Sequence, residues 1–188
     1  MKRIERRTFM KSATAISAFT VLKPGIAFGS KNNSAIRMGF IGCGNRGTGV
    51  ITTMSANTNI NVIALADIFD DKLIHAQKTL NNCNAKKGFA DIQKTNIYQG
   101  SNAYLKVLDN KNVDAVLIST PAYAHPGILE AAVAAGKHAY SEKPVAIDID
   151  GCKRILKVSE TINNKLSVVI DFSSEKIDPK LDLTQFDK

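Results

Sequence analysis

Short apolar runs recur along the chain from residue 35 onward, and stretches with a helical period separate them. The runs lack strict alternation, which is typical of strands that are covered on both faces of a parallel sheet. The predicted strands are 36–41, 61–67, 113–120, 137–142 and 166–172, with 96–100 as a short sixth.

The intervals between these runs predict helices. The helices are expected from Gly47 to about Ser55, from Asp70 to Leu80, from a cap at Ser101 to Leu108, over 124–136 with Gly136 as C-cap, and from Asp148 or Asp150 onward. Alternating strands and helices indicate βαβ units, and hence an α/β fold with a doubly wound, mostly parallel sheet. We expect 82–96 to be a polar surface connection.

Three segments follow from this pattern: a leader and linker at 1–34, the α/β domain at 35–172 and an irregular tail at 173–188. The formal net charge is +8, and residues 1–29 carry +5 of it. The remaining +3 is ordinary for a domain of this size, so the sequence predicts no nucleic-acid partner.

The first 29 residues have the anatomy of an export signal. A basic start contains Arg6 and Arg7, and a mild apolar stretch at 13–22 leads to a Pro-Gly break at 24–25 and an A-x-G cleavage site at 27–29. Ten apolar residues fall short of the roughly 20 that span a bilayer, so we expect no membrane span. The arginine pair resembles the twin-arginine signal and predicts a periplasmic location; the alternative is an unprocessed amphipathic helix or lipid-surface anchor.

The cysteines and histidines predict no metal site. Cys43, Cys83 and Cys152 lack C-x-x-C spacing and even pairing, and the three histidines lack ligand spacing. Cys152 is expected to be a small buried residue of its helix.

A glycine-rich stretch follows the first strand directly and opens a helix. Gly42, Gly44 and Gly47 stand in the spacing G-x-G-x-x-G, in which the glycines allow a tight turn, close approach of a diphosphate and helix-strand packing. Asn45 and Arg46 lie between them and are further candidate cofactor contacts. The helix start then presents amides and the positive end of its dipole to an anion.

Asp67 ends the second strand, 20 residues after Gly47. A carboxylate there accepts hydrogen bonds from both hydroxyls of an adenosine ribose and repels a 2′-phosphate, which favours NAD over NADP. Two alternatives stay open: Asp67 as a helix N-cap, and Arg46 near the ribose, where it would tolerate the phosphate, although we expect it to point to the diphosphate or to solvent.

Further along, several stretches together resemble the Gfo/Idh/MocA family of nicotinamide-dependent oxidoreductases, which have a Rossmann fold. The matching pieces are "MGFIGCGNRG", "ALADI", "VDAVLISTPAYAH" and "EAAVAAGKHAYSEKPVA". The resemblance implies a hydride transfer between a sugar or polyol alcohol and the nicotinamide ring.

The resemblance also implies roles for individual residues. Glu142 would hold the nicotinamide-side ribose, Lys143 would approach the reacting hydroxyl or carbonyl, and Pro144 would fix the turn, often as a cis peptide in relatives. His125 would lie near the ring as a second catalytic residue, with capping or space filling as the alternative. The segment of Ser119, Thr120 and Pro121 would lie beneath the bound cofactor.

Members of this family carry a further α+β domain, for which 188 residues leave no room. We therefore expect a truncated chain that is inactive alone and self-associates through the exposed dock of the missing domain. Two other functions stay open: a non-catalytic NAD-binding module, and the remnant of an NAD-dependent glycosidase of the same superfamily, against which the Glu-Lys-Pro turn argues.

Overall fold

The computed structural model describes residues 34–161 and 168–170. The expected export segment at 1–29, the boundary at residue 172 and the tail at 173–188 lie outside these residues and stay predictions. Among the described residues, no helix is both long and apolar enough to cross a bilayer.

The described residues form one six-stranded parallel sheet. Its strands are β1 Ile36–Ile41, β2 Ile60–Asp67, β3 Ile97–Gln99, β4 Ala115–Ile118, β5 His138–Ser141 and β6 Val168–Ile170. They lie in the order β3-β2-β1-β4-β5-β6, and all five neighbouring pairs are parallel. This order reverses between β1 and β4, which places a crevice at the carboxyl ends of those two strands.

Five α-helices connect the strands: α1 Asn45–Asn57, α2 Asp70–Ala85, α3 Ala103–Asp109, α4 His125–Ala134 and α5 Ile149–Thr161, with short 3₁₀ turns at Lys94–Asn96 and Ala122–Ala124. Gly136 adopts φ +69° after α4, and the backbone N–H of Lys137 donates to the carbonyl of Ala132 at 2.9 Å. This is the Schellman geometry expected of a C-terminal glycine.

The core has two halves, one on each face of the sheet. Phe40 and Leu117 pack with Leu80 of α2 on one face, whereas Ile118 packs with Leu129 of α4 on the other. Successive strand residues point to opposite faces, so the unbroken apolar runs follow from the double covering. The predicted doubly wound fold is confirmed.

The boundaries differ from the predicted ones at several places. Asn102, and not Ser101, is the N-cap of α3, whereas Asp148 accepts a hydrogen bond from the backbone N–H of Gly151 at 2.6 Å and so caps α5. Cys152 is exposed, because α5 buries Ile155 and Val158 instead.

The prediction of a polar connection over 82–96 is wrong in part. Helix α2 continues to Ala85, and Phe89 and Ile92 are buried. Asn84 is fully buried, and its side-chain amide can be buried there because it bonds to both backbone groups of Val62, at 3.3 and 2.8 Å, as a neighbouring strand would. The composition of 82–96 is mainly polar, but this segment packs against the edge of β2.

The amino edge of the sheet is closed by polar side chains. Arg37 and Asp114 join the starts of β1 and β4 by an ion pair of 2.6 Å, and the hydrogen bond from Arg37 lowers the pKa of Asp114. Lys137 is buried and donates to the carbonyls of Asn110 and Val113 at 2.9 and 2.8 Å. Because these contacts close the amino edge of the sheet, the carboxyl edge is the one that is accessible to a ligand.

Candidate cofactor site

A groove of about 390 Å³ runs along the carboxyl ends of β1, β2 and β4. It brings together residues that the sequence predicted as cofactor contacts: Gly42, Gly44, Asp67, Ser119, Thr120 and Pro121. Its other walls are mainly apolar, which suits a flat ring system with a few polar contacts.

The three glycines of the turn face three different surroundings. Gly42 has φ +87°, and a Cβ on it would lie 2.6 Å from the backbone of Ser119 and Thr120. A Cβ on Gly47 would lie 2.7 Å from the side chain of Ser119 and 2.8 Å from the ring of Phe40. Apart from Gly44 itself and its two chain neighbours, no residue has a heavy atom within 4 Å of the Cβ position of Gly44, so its outer side is open for a ligand.

Helix α1 begins at the groove without a protein cap. Its N-cap residue is Gly44, no side chain caps it and its first turn holds no acidic residue. The first amides of a helix have no partner within the helix, and the dipole is positive at that end. The open space beside Gly44 therefore suits a phosphate group.

Asp67 is held in place by two backbone amides. Its Oδ2 accepts from the N–H of Cys43 at 2.6 Å, and its Oδ1 accepts from the N–H of Phe69 at 2.9 Å. Phe69, not Asp67, is the N-cap of α2. The alternative of an N-cap is thus excluded, and each oxygen keeps a lone pair for a ligand hydroxyl.

Arg46 lies in the first turn of α1, and neither it nor Glu142 is among the residues that line the groove. Its Nε and one terminal nitrogen approach Glu142 Oε2 at 3.3 and 3.4 Å. The sequence predicted that Arg46 points to the diphosphate or to solvent, and its side chain is indeed 67% exposed. The contact with Glu142 was not predicted, because the two residues are 96 positions apart.

Two buried oxygens near the ends of β4 and β5 lack a hydrogen-bond partner: Glu142 Oε1 and Thr120 Oγ1. Glu142 is only 3% exposed, and its backbone N–H extends the pairing with β4 by donating to the carbonyl of Ile118 at 2.9 Å. A buried carboxylate oxygen without a partner is costly, so these atoms mark a place for a ligand's hydroxyl groups.

The Glu-Lys-Pro turn follows β5 at the same edge. The Lys143–Pro144 bond is cis, as the resemblance implied, and Lys143 is exposed beside the buried Glu142.

His125 is buried, with 1% of its surface exposed. Its Nδ1 lies 2.9 Å from the carbonyl of Pro144 and its Nε2 lies 2.7 Å from the carbonyl of Thr120. Each ring nitrogen thus faces a backbone carbonyl, and a neutral imidazole, which has one N–H, donates to one of the two. This geometry favours the structural alternative: His125 ties the loop after β4 to the Glu-Lys-Pro turn, whereas proton transfer by it stays a prediction.

Sequence reasoning missed the apolar end of the groove. Ile68, Phe69 and Tyr123 line it and are 50%, 56% and 68% exposed. The sequence did contain a signal, because the large apolar residues Ile68 and Phe69 stand directly after β2. Exposed aromatic side chains beside a carboxylate suit a purine ring.

Cys43 is a structural residue of the turn. Burial, aided by the negative charge of Asp67, raises the pKa of its thiol well above the ordinary range. The thiol therefore stays protonated and is no candidate nucleophile.

Comparisons with known proteins agree with this geometry. A family model described as "Oxidoreductase family, NAD-binding Rossmann fold" matches residues 36–170. A glycosyl hydrolase family 109 protein of Solibacter usitatus is 33% identical over 136 residues, which are 72% of this chain and 30% of that protein.

Solved structures show the same fold. Apo scyllo-inositol dehydrogenase from Lactobacillus casei has a TM-score of 0.58 and 25% identity, over 73% of this chain and 36% of that one. A 3-ketoreductase from Actinomadura kijaniata in complex with NADP has a TM-score of 0.55 and 25% identity, over 73% and 39%. The chain spans about a third of the length of these relatives.

Replacement of Gly44 by alanine tests the groove. The φ of −67° suits alanine and the methyl group meets no protein atom, so the melting temperature should stay unchanged. The methyl group would occupy the ligand's side of the turn, at a cost of about 1–3 kcal/mol in NAD affinity. Calorimetric titration of Gly44→Ala with NAD should show about 10- to 100-fold weaker binding.

The matched control is Gly49→Ala, which also adds a methyl group to open space but lies outside the groove. It should bind NAD as the unmodified chain does. Equal NAD affinity in both variants would show that no ligand approaches Gly44.

Proposed function

The chain belongs to the Gfo/Idh/MocA oxidoreductase family, as the match over residues 36–170 shows, and from that membership we propose the following function. The NAD-binding Rossmann domain prefers NAD to NADP and supplies the cofactor half of a hydride transfer on a sugar- or polyol-like alcohol. The observation that carries the proposal is the Asp67 carboxylate, fixed by two amides at the rim of a groove that an uncapped helix also faces.

The preference for NAD rests on the charges at the adenosine end of the groove. Asp67 would accept hydrogen bonds from the ribose hydroxyls and repel a 2′-phosphate. Arg46 contacts Glu142 and is not among the residues that line the groove with Asp67. Lys72 lines the same end, but its ammonium contacts Asp71 at 3.1 Å.

The proposed chemistry takes place at the Glu-Lys-Pro turn. NAD, when bound, accepts or supplies the hydride. Lys143 would hydrogen-bond the reacting oxygen, where its positive charge stabilises the developing alkoxide or polarises the carbonyl. Glu142 would hold the adjacent ribose through its unpartnered Oε1, and His125 would keep this turn in register with the loop after β4.

One relative, an inositol dehydrogenase, supports a polyol-like substrate, and another, a 3-ketoreductase, supports the reduction of a carbonyl group. The similarity to a glycosyl hydrolase family 109 protein supports the second candidate, a glycosidase. The Glu-Lys-Pro turn favours the oxidoreductase, because Lys143 offers a cation next to the buried ribose contact. A third candidate is a module that binds NAD without turnover.

Export to the periplasm is also proposed, on the strength of the Arg6-Arg7 pair and the short apolar stretch that follows. A reporter fused behind residues 1–34 should be recovered from the periplasm. Replacement of both arginines by lysine should retain it in the cytoplasm, because the twin-arginine route requires the guanidinium pair. The control Arg3→Lys should leave export intact; export by the double variant would refute this route.

The cofactor preference is tested with Asp67→Asn, which keeps the size of the side chain and removes its charge. Juxtaposed like charges cost several kcal/mol, so the ratio of NADP to NAD affinity should rise about tenfold or more. The measurement is a titration of both nucleotides by calorimetry. Asp70→Asn, an exposed carboxylate outside the groove, is the control and should leave the ratio unchanged, whereas an unchanged ratio in Asp67→Asn would remove Asp67 from the site.

The reaction is tested by incubating the chain with NAD and panels of polyols, sugars and glycosides. Because the chain supplies only the cofactor half, we expect it alone to bind NAD without turnover. Joined to the substrate domain of a relative, it should give NADH fluorescence with a polyol or sugar, and Lys143→Met should lower that rate about 10²- to 10⁴-fold. Lys111→Met, an exposed lysine at the opposite edge, should leave the rate unchanged. Glycoside release by the joined protein without net NADH would establish the glycosidase instead, and NAD binding by the joined protein without any turnover would establish the non-catalytic module.

A further inference from the structure

The ion pair between Arg46 and Glu142 is unequal. The Arg46 side chain is 67% exposed, whereas that of Glu142 is 4% exposed. Both contacts go to a single oxygen, at 3.3 and 3.4 Å, which is longer than the roughly 2.7–2.9 Å of a strong charge-assisted bond. The other oxygen of Glu142 has no partner. The pair is therefore loose, and both members keep unused hydrogen-bonding capacity.

Arg46 also lies in the first turn of α1, two positions after the Gly44 cap. A diphosphate at this helix start would bring two negative charges close to Arg46 and to the buried carboxylate that Arg46 neutralises. Phosphate is a stronger partner for a guanidinium than one distant carboxylate oxygen, because the planar fork can bind two phosphate oxygens. The two anions thus compete for one exposed arginine.

We propose that Arg46 is an exchangeable partner: it covers Glu142 in the empty groove and turns to the cofactor's diphosphate when the cofactor binds. The transfer leaves both Glu142 oxygens to the hydroxyls of the nicotinamide-side ribose. Binding of the diphosphate and binding of the second ribose are thereby coupled through one side chain. This inference rests on the proposed binding of NAD in the groove.

The exchange makes opposite predictions for two ligands. ADP contains the diphosphate but not the second ribose, so it gains from Arg46 and makes no use of Glu142. NAD uses both. Removal of the Glu142 charge should therefore strengthen ADP binding, because Arg46 is free beforehand, and should weaken NAD binding relative to ADP, because the ribose loses a charged acceptor.

The experiment is a calorimetric titration of ADP and NAD at low salt with Glu142→Gln, Arg46→Gln and the double variant. We expect Glu142→Gln to bind ADP about three- to fivefold more tightly, the order of a partly exposed ion pair, and Arg46→Gln to bind it more weakly by at least as much. In the Arg46→Gln background, the substitution at Glu142 should no longer change ADP affinity. Arg154→Gln, which removes the ion pair with Glu130 between α4 and α5, is the control and should bind both ligands normally.

Two outcomes would overturn the exchange. If Glu142→Gln tightens ADP binding equally in the Arg46→Gln background, the carboxylate acts on the phosphates directly and not through Arg46. If Glu142→Gln leaves ADP affinity unchanged, the ion pair does not compete with the ligand. A thermal melt of each variant verifies folding, and Arg46→Lys, which keeps the charge, should restore part of the ADP affinity.

Failure of the exchange and failure of the proposed function are distinguishable. An unmodified chain that binds neither ADP, NAD nor NADP would refute both. An unmodified chain that binds these nucleotides, with variants that do not follow the expected order, would refute the exchange alone.

Discussion

The site depends on the close contact between the glycine turn after β1 and the end of β4. The backbone of Gly42 passes so near Ser119 and Thr120 that no side chain fits between them. Gly47 likewise brings α1 against Ser119 and Phe40. Since β1 and β4 are neighbours at the point where the strand order reverses, this contact determines where the groove opens and which helix start faces it.

Polar groups border the groove and continue beyond its lining. Asp67 and the uncapped start of α1 border the groove, and the pair of Arg46 and Glu142 joins the first turn of α1 to the Glu-Lys-Pro turn. An elongated ligand with a hydroxylated ring, an anionic bridge and a second hydroxylated ring matches this arrangement. The preference for such a ligand thus arises from backbone amides and buried oxygens more than from the number of charged residues.

Buried polar side chains connect the loops that carry the site. The ring nitrogens of His125 lie against the carbonyls of Thr120 and Pro144, one of which a neutral ring can bond, and Asn84 bonds to both backbone groups of Val62. Such contacts satisfy backbone groups of the loops and of β2, which is a strong constraint in a dry interior. A residue type that is often catalytic can therefore have a structural role, and a histidine near a ligand groove need not contact the ligand.

The sequence by itself determined the α/β alternation, the G-x-G-x-x-G turn, Asp67 at the end of β2 and the Glu-Lys-Pro turn, because each depends on local backbone conformation or on residues a few positions apart. The contact of Arg46 with Glu142, the ring contacts of His125 and the covering role of Asn84 were decided only by the tertiary structure. These contacts join residues that are distant in the chain or lie in different loops, and the strand order and helix packing that bring them together leave no periodic signal in the sequence. The local sequence pattern was enough to locate the site, whereas long-range packing determined which residues contact one another within it.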